Sequence, residues 1–162
     1  SGPRVRALSY LNEEPVLVEE LLPGREFTVG VVGEGPSSEA LGTLEVITLD
    51  GAEERIHSYE NKERCEDLVE YRLVSGAEQV ALQAWRVLGC RDAGRVDVRC
   101  DERGTALLLE VNPLAGLHPT HSDLPILCNR IGVPYVDLVG RILRSASRRC
   151  EPHLRRAVPR CA

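Results

Sequence analysis

The chain has 162 residues, of which 43 % are apolar and 28 % charged, and its net charge at pH 7 is −5. This length allows one domain with a buried core, and the composition is ordinary for a soluble globular protein. No apolar run approaches the roughly 20 residues of a membrane-spanning helix, and the N-terminus lacks the apolar segment of a secretion signal. We therefore expect a cytoplasmic protein with no membrane partner.

The six cysteines include no CxxC pair. Because no secretion signal precedes them, we expect reduced thiols, as is usual in the cytosol, and keep a disulfide framework as the alternative. Charge is uneven along the chain, since residues 144–162 contain six arginines and one glutamate. We interpret this basic tail as a solvated C-terminus. An anion-binding arm is the alternative, but no aromatic residues are interleaved with the charges, and we expect no nucleic-acid partner.

The N-terminal half of the chain predicts an antiparallel meander of three strands. Residues 15–22 and 25–33 form the first two strands, joined by a Pro-Gly turn, and residues 43–49 form the third. Residues 50–74 are polar and irregular. A connection of this length is usually functional or mobile.

Three helices and one hairpin are predicted in the rest of the chain. The first helix begins at Ser75, which forms a capping box with Glu78, and it ends at Gly89. The expected buried face consists of Val80, Ala84, Val87 and Leu88, with Trp85 beside it.

The remaining elements complete an α+β fold with an antiparallel sheet. Residues 93–100 and 106–112 predict a β-hairpin whose leucines at 107–109 suggest a buried strand. Another helix is capped by Asp123 and ends at Gly132, and the last helix runs from about Pro134 to Ala146.

The hairpin carries the main candidate site. With a two-residue turn, Asp97 lies opposite Leu108 and diagonally from Glu110 on the same face. That face then presents Arg95, Asp97, Glu110 and Asn112. Hard oxygen ligands of this kind suit Mg²⁺, and the arginine suits a phosphate or a developing oxyanion. The alternative is an ordinary solvated face with an Arg–Asp ion pair.

Several ordered segments resemble the C-terminal half of an ATP-grasp ligase, with D-alanine–D-alanine ligase and its relatives as the closest match. They are VLVEELLPGREFTVGVVG, YENK, GRVDVRCDERGTALLLEVNPLAGL and the HS that follows. The resemblance implies a C-terminal ATP-grasp domain at residues 15–146, a leader at 1–14 and the basic tail at 147–162. It also implies an ATP- and Mg²⁺-dependent enzyme that joins a carboxylate to an amine through an acyl phosphate, in peptidoglycan precursor synthesis.

Residue roles follow from the same resemblance. Glu19, Glu20 and Leu22 are similar to the segment that holds adenine, and Glu26 is similar to the carboxylate that binds ribose hydroxyls. Lys62, the single lysine among 20 basic residues, resembles the loop lysine that reaches the terminal phosphate. A mobile loop can carry such a cation over the site.

The remaining roles concern metal and substrate. Asp97, Glu110 and Asn112 resemble the ligands of two Mg²⁺ ions, with Mn²⁺ as an alternative metal. Arg95 and the backbone at Gly116 resemble the pair that stabilises the tetrahedral intermediate. The serine that receives the carboxylate of the second amino acid is matched by Ser122.

The chain departs from the usual ligase pattern after Asn112. The segment Asn112-Pro113-Leu114-Ala115-Gly116 replaces Asn-Thr-x-Pro-Gly, and one more residue precedes His121-Ser122. This loop lies near the acceptor amino acid in the family, so the amino-acid pair stays open, with D-alanine as the expected substrate. The two upstream lysines of the relatives have no counterpart before residue 15, so we expect a fragment that is inactive without an N-terminal part.

Three hypotheses result. The first is the C-terminal part of a D-alanine–D-alanine ligase-like enzyme, with a homodimer as one candidate assembly and the oligomeric state left open. The second is a noncatalytic nucleotide- or metal-binding remnant that acts through a partner. The third is an ATP-grasp ligase for another amino-acid pair. A metal site at His118 and His121 is disfavoured, because no third ligand stands at a recognisable separation.

Overall fold

A computed structural model of the protein describes residues 19–48 and 69–157. These residues form a five-stranded antiparallel sheet in the order β3-β2-β1-β4-β5, with helices on both faces, which confirms the α+β class. The strands are β1 Glu26–Val32, β2 Glu39–Thr48, β3 Val69–Val74, β4 Ala93–Cys100 and β5 Ala106–Asn112. The helices are α1 Glu78–Val87, α2 Asp123–Arg130 and α3 Tyr135–Ala157.

One face of the sheet forms the larger apolar core with α1. Alternate residues of β1 and β4 point to this side, and Trp85 of α1 is fully buried against them. The indole Nε1 of Trp85 donates a hydrogen bond to the carbonyl of Gly33 at 3.0 Å, so its polar group is satisfied in the core. The buried members of this core are Phe27, Val29, Val31, Ala77, Ala81, Trp85, Val96, Val98 and Cys100.

The opposite face is covered in part by α2 and α3. A side-chain Cβ at Gly30 would lie 2.6 Å from Leu127 and 2.8 Å from Leu124, so the glycine allows α2 to approach the sheet closely. Val32, Leu124, Cys128 and Leu138 form a second buried cluster there. The part of this face that α2 leaves uncovered carries the polar residues of the candidate site.

The strand predictions need four corrections. Residues 19–25 contain no strand, so the described part of the strand predicted at 15–22 is irregular. β2 begins at Glu39 and not at residue 43, and β3 lies within the segment predicted to be irregular. β5 is an edge strand, and its three leucines at 107–109 are 41 to 47 % exposed, so they do not anchor a buried strand.

The predicted capping box of α1 is wrong. The N-cap position is Ala77, and Glu78 instead accepts hydrogen bonds from the Gly76 amide and from Thr43 Oγ1, both at 2.7 Å. The predicted buried face is also wrong, since Val87 is 79 % exposed, whereas Ala81 and Trp85 are buried. The helix ends as expected before Gly89, which has a φ of +66°.

The ends of α2 and α3 differ from the predictions by different amounts. The N-cap of α2 is Ser122, and Asp123 is its first helical residue. Gly132, with a φ of +75°, follows its C-terminal end as predicted. α3 continues past Ala146 to Ala157. Beyond Ala146, Arg149 pairs with Asp92, so this part of the helix contacts the segment just before β4.

No described helix combines the length and the apolar character needed to cross a bilayer. The three cysteines whose side chains are described, Cys90, Cys100 and Cys128, are free thiols, as expected for them. Burial raises the pKa of the Cys90 and Cys128 thiols, so both are held in the protonated, less nucleophilic form.

Candidate active site

The β4–β5 hairpin has a register different from the predicted one. Its turn contains three residues, since the Asp101 amide donates to the Thr105 carbonyl, and a bulge follows between Asp97 and Val98. Because the turn and the bulge each shift the pairing by one residue, Asp97 lies directly opposite Glu110 and not diagonally from it. Arg95 in turn lies opposite Asn112. The four predicted site residues therefore share one face as expected, but Asp97 and Glu110 lie closer together than the predicted register placed them.

Asp97 is a buried carboxylate at the centre of this group. Thr28 Oγ1 on β1 donates to its Oδ1, while Arg95 Nη2 donates to its Oδ2 at 2.9 Å. Burial raises the pKa of Asp97 to about 6, and the hydrogen bond with Glu110 adds to this effect, whereas Thr28 and Arg95 oppose it. A carboxyl group whose pKa is shifted by burial beside specific charged partners is typical of functional sites, which marks Asp97 as a candidate.

Arg95 lies among three carboxylates. Its Nη2 is 3.7 Å from Glu110 Oε1, and its Nη1 donates to Asp123 Oδ2 at the start of α2. Burial alone would lower the pKa of the Arg95 guanidinium, but Asp97, Asp123 and Glu110 together raise it. The arginine therefore stays charged on this face of the sheet.

Asn112 links the two carboxylates of the hairpin. Its Nδ2 donates to Asp97 Oδ2 at 3.1 Å and to Glu110 Oε1 at 2.9 Å. Two carboxylates and one side-chain amide thus converge within hydrogen-bond distance, and rotation of the amide would present its oxygen to the same point. This set of hard oxygen donors fits Mg²⁺. In the part of the chain that is described, no three His, Cys, Asp or Glu side chains are grouped to hold a metal, so the amide completes the set.

Ser122 and Gly116 lie against each other in the loop before α2. A Cβ at Gly116 would be 2.6 Å from Ser122 Oγ, so only glycine fits without a shift. The His118 amide donates to Ser122 Oγ at 3.0 Å, and this hydroxyl makes no capping bond to the helix. The Ser122 oxygen thus accepts one hydrogen bond at the N-terminus of α2.

The predicted nucleotide-binding residues lie around the turn of the hairpin. Glu19 and Glu20 are exposed and Leu22 is half-buried in the irregular segment before β1. This segment borders a cleft of about 240 Å³ that also includes Asp101 and Leu107. Glu26 lies at the start of β1, where its Oε2 is 3.3 Å from Arg99 Nη1. Lys62 lies outside the described residues.

Sequence reasoning missed three members of the site, namely Thr28, Tyr71 and Asp123. Thr28 had a signal, since it is the polar residue among the alternating apolar positions of β1. Asp123 was interpreted as a helix cap, and Tyr71 lies on the strand that was not predicted. The Tyr71 hydroxyl donates to Asp123 Oδ1 at 2.7 Å.

Comparison with known proteins gives a consistent family. The family model described as D-ala D-ala ligase C-terminus matches residues 5–144. D-alanine–D-alanine ligase from Cupriavidus taiwanensis is 34 % identical over 149 residues, which covers 87 % of this chain and 44 % of the relative. The corresponding ligase from Albidiferax ferrireducens is 36 % identical over 149 residues and is covered to 42 %. The chain thus spans less than half the length of these curated relatives.

Solved structures support the fold. The crystal structure of D-alanine–D-alanine ligase from Bacillus anthracis in complex with ATP matches with a TM-score of 0.63 at 18 % identity, over 83 % of this chain and 42 % of that one. The Coxiella burnetii ligase matches with a TM-score of 0.59 at 21 % identity, over 85 % of this chain and 35 % of that one. The sheet and helices therefore have the C-terminal ATP-grasp fold that the resemblance implied, and the chain belongs to the D-ala D-ala ligase C-terminus family.

Proposed function

We propose that the chain is the C-terminal ATP-grasp part of an ATP- and Mg²⁺-dependent carboxylate–amine ligase that forms a D-alanyl dipeptide for peptidoglycan precursors. The observation that carries this proposal is the convergence of Asp97, Glu110 and Asn112 beside the Arg95 guanidinium on one sheet face. Family membership supplies the reaction class.

The anionic side chains of this face hold the metal in the proposal. Asp97, Glu110 and Asn112 would ligate the divalent ions, Mg²⁺ or alternatively Mn²⁺. When bound, the ions would neutralise the charge of the transferring phosphoryl group. Thr28 fixes the orientation of Asp97 by its hydrogen bond, so the carboxylate keeps a defined direction toward the site.

Arg95 and the Gly116–Ser122 contact bind the reacting groups. The Arg95 guanidinium and the backbone at Gly116 would stabilise the oxyanion that develops when the amine attacks the acyl phosphate. Ser122 would donate its hydroxyl proton to the carboxylate of the second D-alanine, since the His118 amide already occupies its acceptor side. Fixed donors of this kind need no reorganisation at the moment of reaction, which is the main source of such catalysis.

The nucleotide would lie next to the irregular segment before β1. Glu19, Glu20 and Leu22 would contact the adenine, and Glu26 would accept hydrogen bonds from the ribose hydroxyls. Arg99 Nη1 already lies 3.3 Å from Glu26 Oε2, so this carboxylate has a charged partner beside the proposed ribose position. Lys62 would reach the terminal phosphate from its loop.

Phosphate release from the full-length parent, assayed with ATP, Mg²⁺ and a panel of D- and L-amino acids, tests the proposal and the amino-acid pair together. We expect release that depends on D-alanine. Release that depends only on another amino acid would instead establish an ATP-grasp ligase for a different amino-acid pair. The altered loop at residues 113–116 is the reason for testing this alternative. No release with any amino acid would favour the noncatalytic remnant.

The isolated 162-residue chain should show negligible ligation. The chain spans less than half the length of these curated relatives. We expect the N-terminal part of the parent to provide further contacts to the nucleotide phosphates. Robust D-alanine-dependent phosphate release from the purified chain would contradict this dependence. Restored release on mixing the chain with a separately produced N-terminal part would support it.

A further inference from the structure

Tyr71 and Asp123 connect the far side of the sheet to the candidate site. Asp123 uses both carboxylate oxygens, because Oδ1 accepts from the Tyr71 hydroxyl at 2.7 Å and Oδ2 accepts from Arg95 Nη1. Tyr71 belongs to β3 at one edge of the sheet, and Arg95 belongs to β4 beyond β2 and β1. The hydrogen bonds from Tyr71 to Asp123 and from Arg95 to Asp123 therefore connect β3 to β4 across the sheet, at the N-terminus of α2.

Helix α2 is held at both ends by the same tyrosine. Asp123 is its first residue and contacts the Tyr71 hydroxyl, whereas Arg130 is its last residue and donates to the Tyr71 carbonyl at 2.7 Å. These contacts fix the position of the helix along β3. As a result the Asp123 carboxylate has one defined orientation toward Arg95.

The three carboxylates around Arg95 are not equivalent. Asp97 and Glu110 belong to the proposed metal-binding set, whereas Asp123 lies on a different element and outside that set. When Asp97 and Glu110 are engaged by a cation, Asp123 is the carboxylate partner that remains for the guanidinium. Arg95 Nε is buried with no hydrogen-bond partner among the described residues, so the position of the group depends on its two Nη atoms.

We propose that Asp123, oriented by Tyr71, is a positioning residue that keeps the Arg95 guanidinium at the candidate site while Asp97 and Glu110 bind the metal. Asp123 acts through Arg95 and contacts no substrate itself. The catalytic part of this inference rests on the proposed function, whereas the positioning part concerns only the chain itself.

Arginine side-chain NMR on the 162-residue chain tests the positioning part. The Nε–Hε signal of Arg95, assigned by its loss in Arg95→Lys, is followed for hydrogen exchange with and without Mg²⁺. We expect slow exchange in the wild type under both conditions. In Asp123→Asn, exchange of the Arg95 Nε–Hε proton in the presence of Mg²⁺ should accelerate about tenfold or more. The charge-assisted bond from Nη1 is lost, so the guanidinium can leave the buried position that protects Nε from solvent. Tyr71→Phe removes one hydroxyl from the network and should cause a smaller acceleration in the same direction.

Asp92→Asn is the matched control. It makes the same chemical change in an Arg–Asp pair, Asp92 with Arg149, and asparagine tolerates the positive φ of +67° at this position. Exchange at Arg95 should be unchanged in this variant. Wild-type exchange at Arg95 in both Asp123→Asn and Tyr71→Phe would overturn the proposal. If Asp123→Asn fails to fold, Tyr71→Phe alone decides the outcome.

Kinetics of the full-length parent tests the catalytic part. Asp123→Asn should lower kcat about tenfold while KM for the amino acids changes little, and Asp123→Glu should recover part of the loss. The Asp92→Asn control should retain wild-type kcat. Unchanged kcat in Asp123→Asn would contradict a catalytic consequence. An inactive wild-type parent would refute the proposed function, and the NMR result would still decide the positioning part.

Discussion

The two faces of the sheet are built from the same strands but have opposite physical character. On β1 and β4, Val29 and Val96 point to α1 and are fully buried among apolar side chains. Their neighbours Thr28 and Asp97 point to the other face and are also buried, but in contact with charged groups. The first arrangement stabilises the fold. The second costs free energy to bury, and it is the arrangement to which we assign the proposed chemistry.

The largest effect is expected from a substitution in the apolar face, which is the side of the sheet that packs against α1. Trp85→Ala removes the largest side chain of that core and should lower the free energy of unfolding by about 3–5 kcal/mol. Urea denaturation followed by circular dichroism measures this, since the variant lacks the single tryptophan of the chain. Trp85→Phe should lose much less. Equal stability of Trp85→Ala and wild type would show that α1 does not carry the main core.

The next largest effect is expected from a substitution in the polar face, which is the side of the sheet that carries Arg95, Asp97, Glu110 and Asn112. Glu110→Gln in the full-length parent should lower kcat about 100-fold or more, because metal ligands support several kcal/mol of charge stabilisation. The side chain is largely exposed, so the free energy of unfolding should change by less than about 1 kcal/mol. Phosphate release and urea denaturation are measured on the same preparation. Wild-type turnover would refute the metal assignment.

A smaller effect concerns the loop that borders the polar face. Gly116→Ala places a methyl group 2.6 Å from Ser122 Oγ and should lower kcat/KM for the acceptor amino acid about tenfold. Gly140→Ala is the control, because its new methyl group meets only the flexible end of Arg144 at 3.2 Å. It should leave kcat/KM unchanged. Equal kinetics in both variants would exclude a role for the Gly116–Ser122 contact.

The smallest effect is a pH dependence away from the candidate site. The hydrogen bond from Arg149 holds the pKa of Asp92 below its usual value in the folded chain. A carboxyl group of this kind stabilises the fold above its unfolded pKa, and the contribution is lost as pH falls through the lower folded pKa. Wild type should be more stable than Asp92→Asn at pH 7, and this difference in unfolding free energy should shrink below about pH 4. A difference independent of pH would show that the ion pair contributes nothing.

The sequence predicted those elements whose local pattern and burial agree. β1 and the β4–β5 hairpin alternate clearly, and Gly89 and Gly132 mark helix ends with positive φ. The register was wrong because a three-residue turn and a bulge leave no mark in the alternation. β3 was missed because it is an edge strand whose exposed residues make it look like a polar loop.

The sequence predicted only those members of the candidate site that are polar residues at alternating positions of two adjacent strands. Arg95, Asp97, Glu110 and Asn112 lie on one face as the alternation required. Asp123 joins them from a different element, and this contact depends on how α2 packs over Gly30, which no local pattern specifies. The buried face of α1 was misassigned for the same reason, since the packing partner of a helix is a tertiary property.

The stoichiometry of the reaction tests the central claim most directly. Full-length parent enzyme is supplied with ATP, Mg²⁺ and D-alanine, and released phosphate and D-alanyl-D-alanine are quantified in the same sample. The proposed acyl-phosphate route predicts one phosphate for each dipeptide, with no release when Mg²⁺ is withheld. Phosphate release without dipeptide, or no D-alanine-dependent release, would contradict the assignment of the polar face to ligase chemistry.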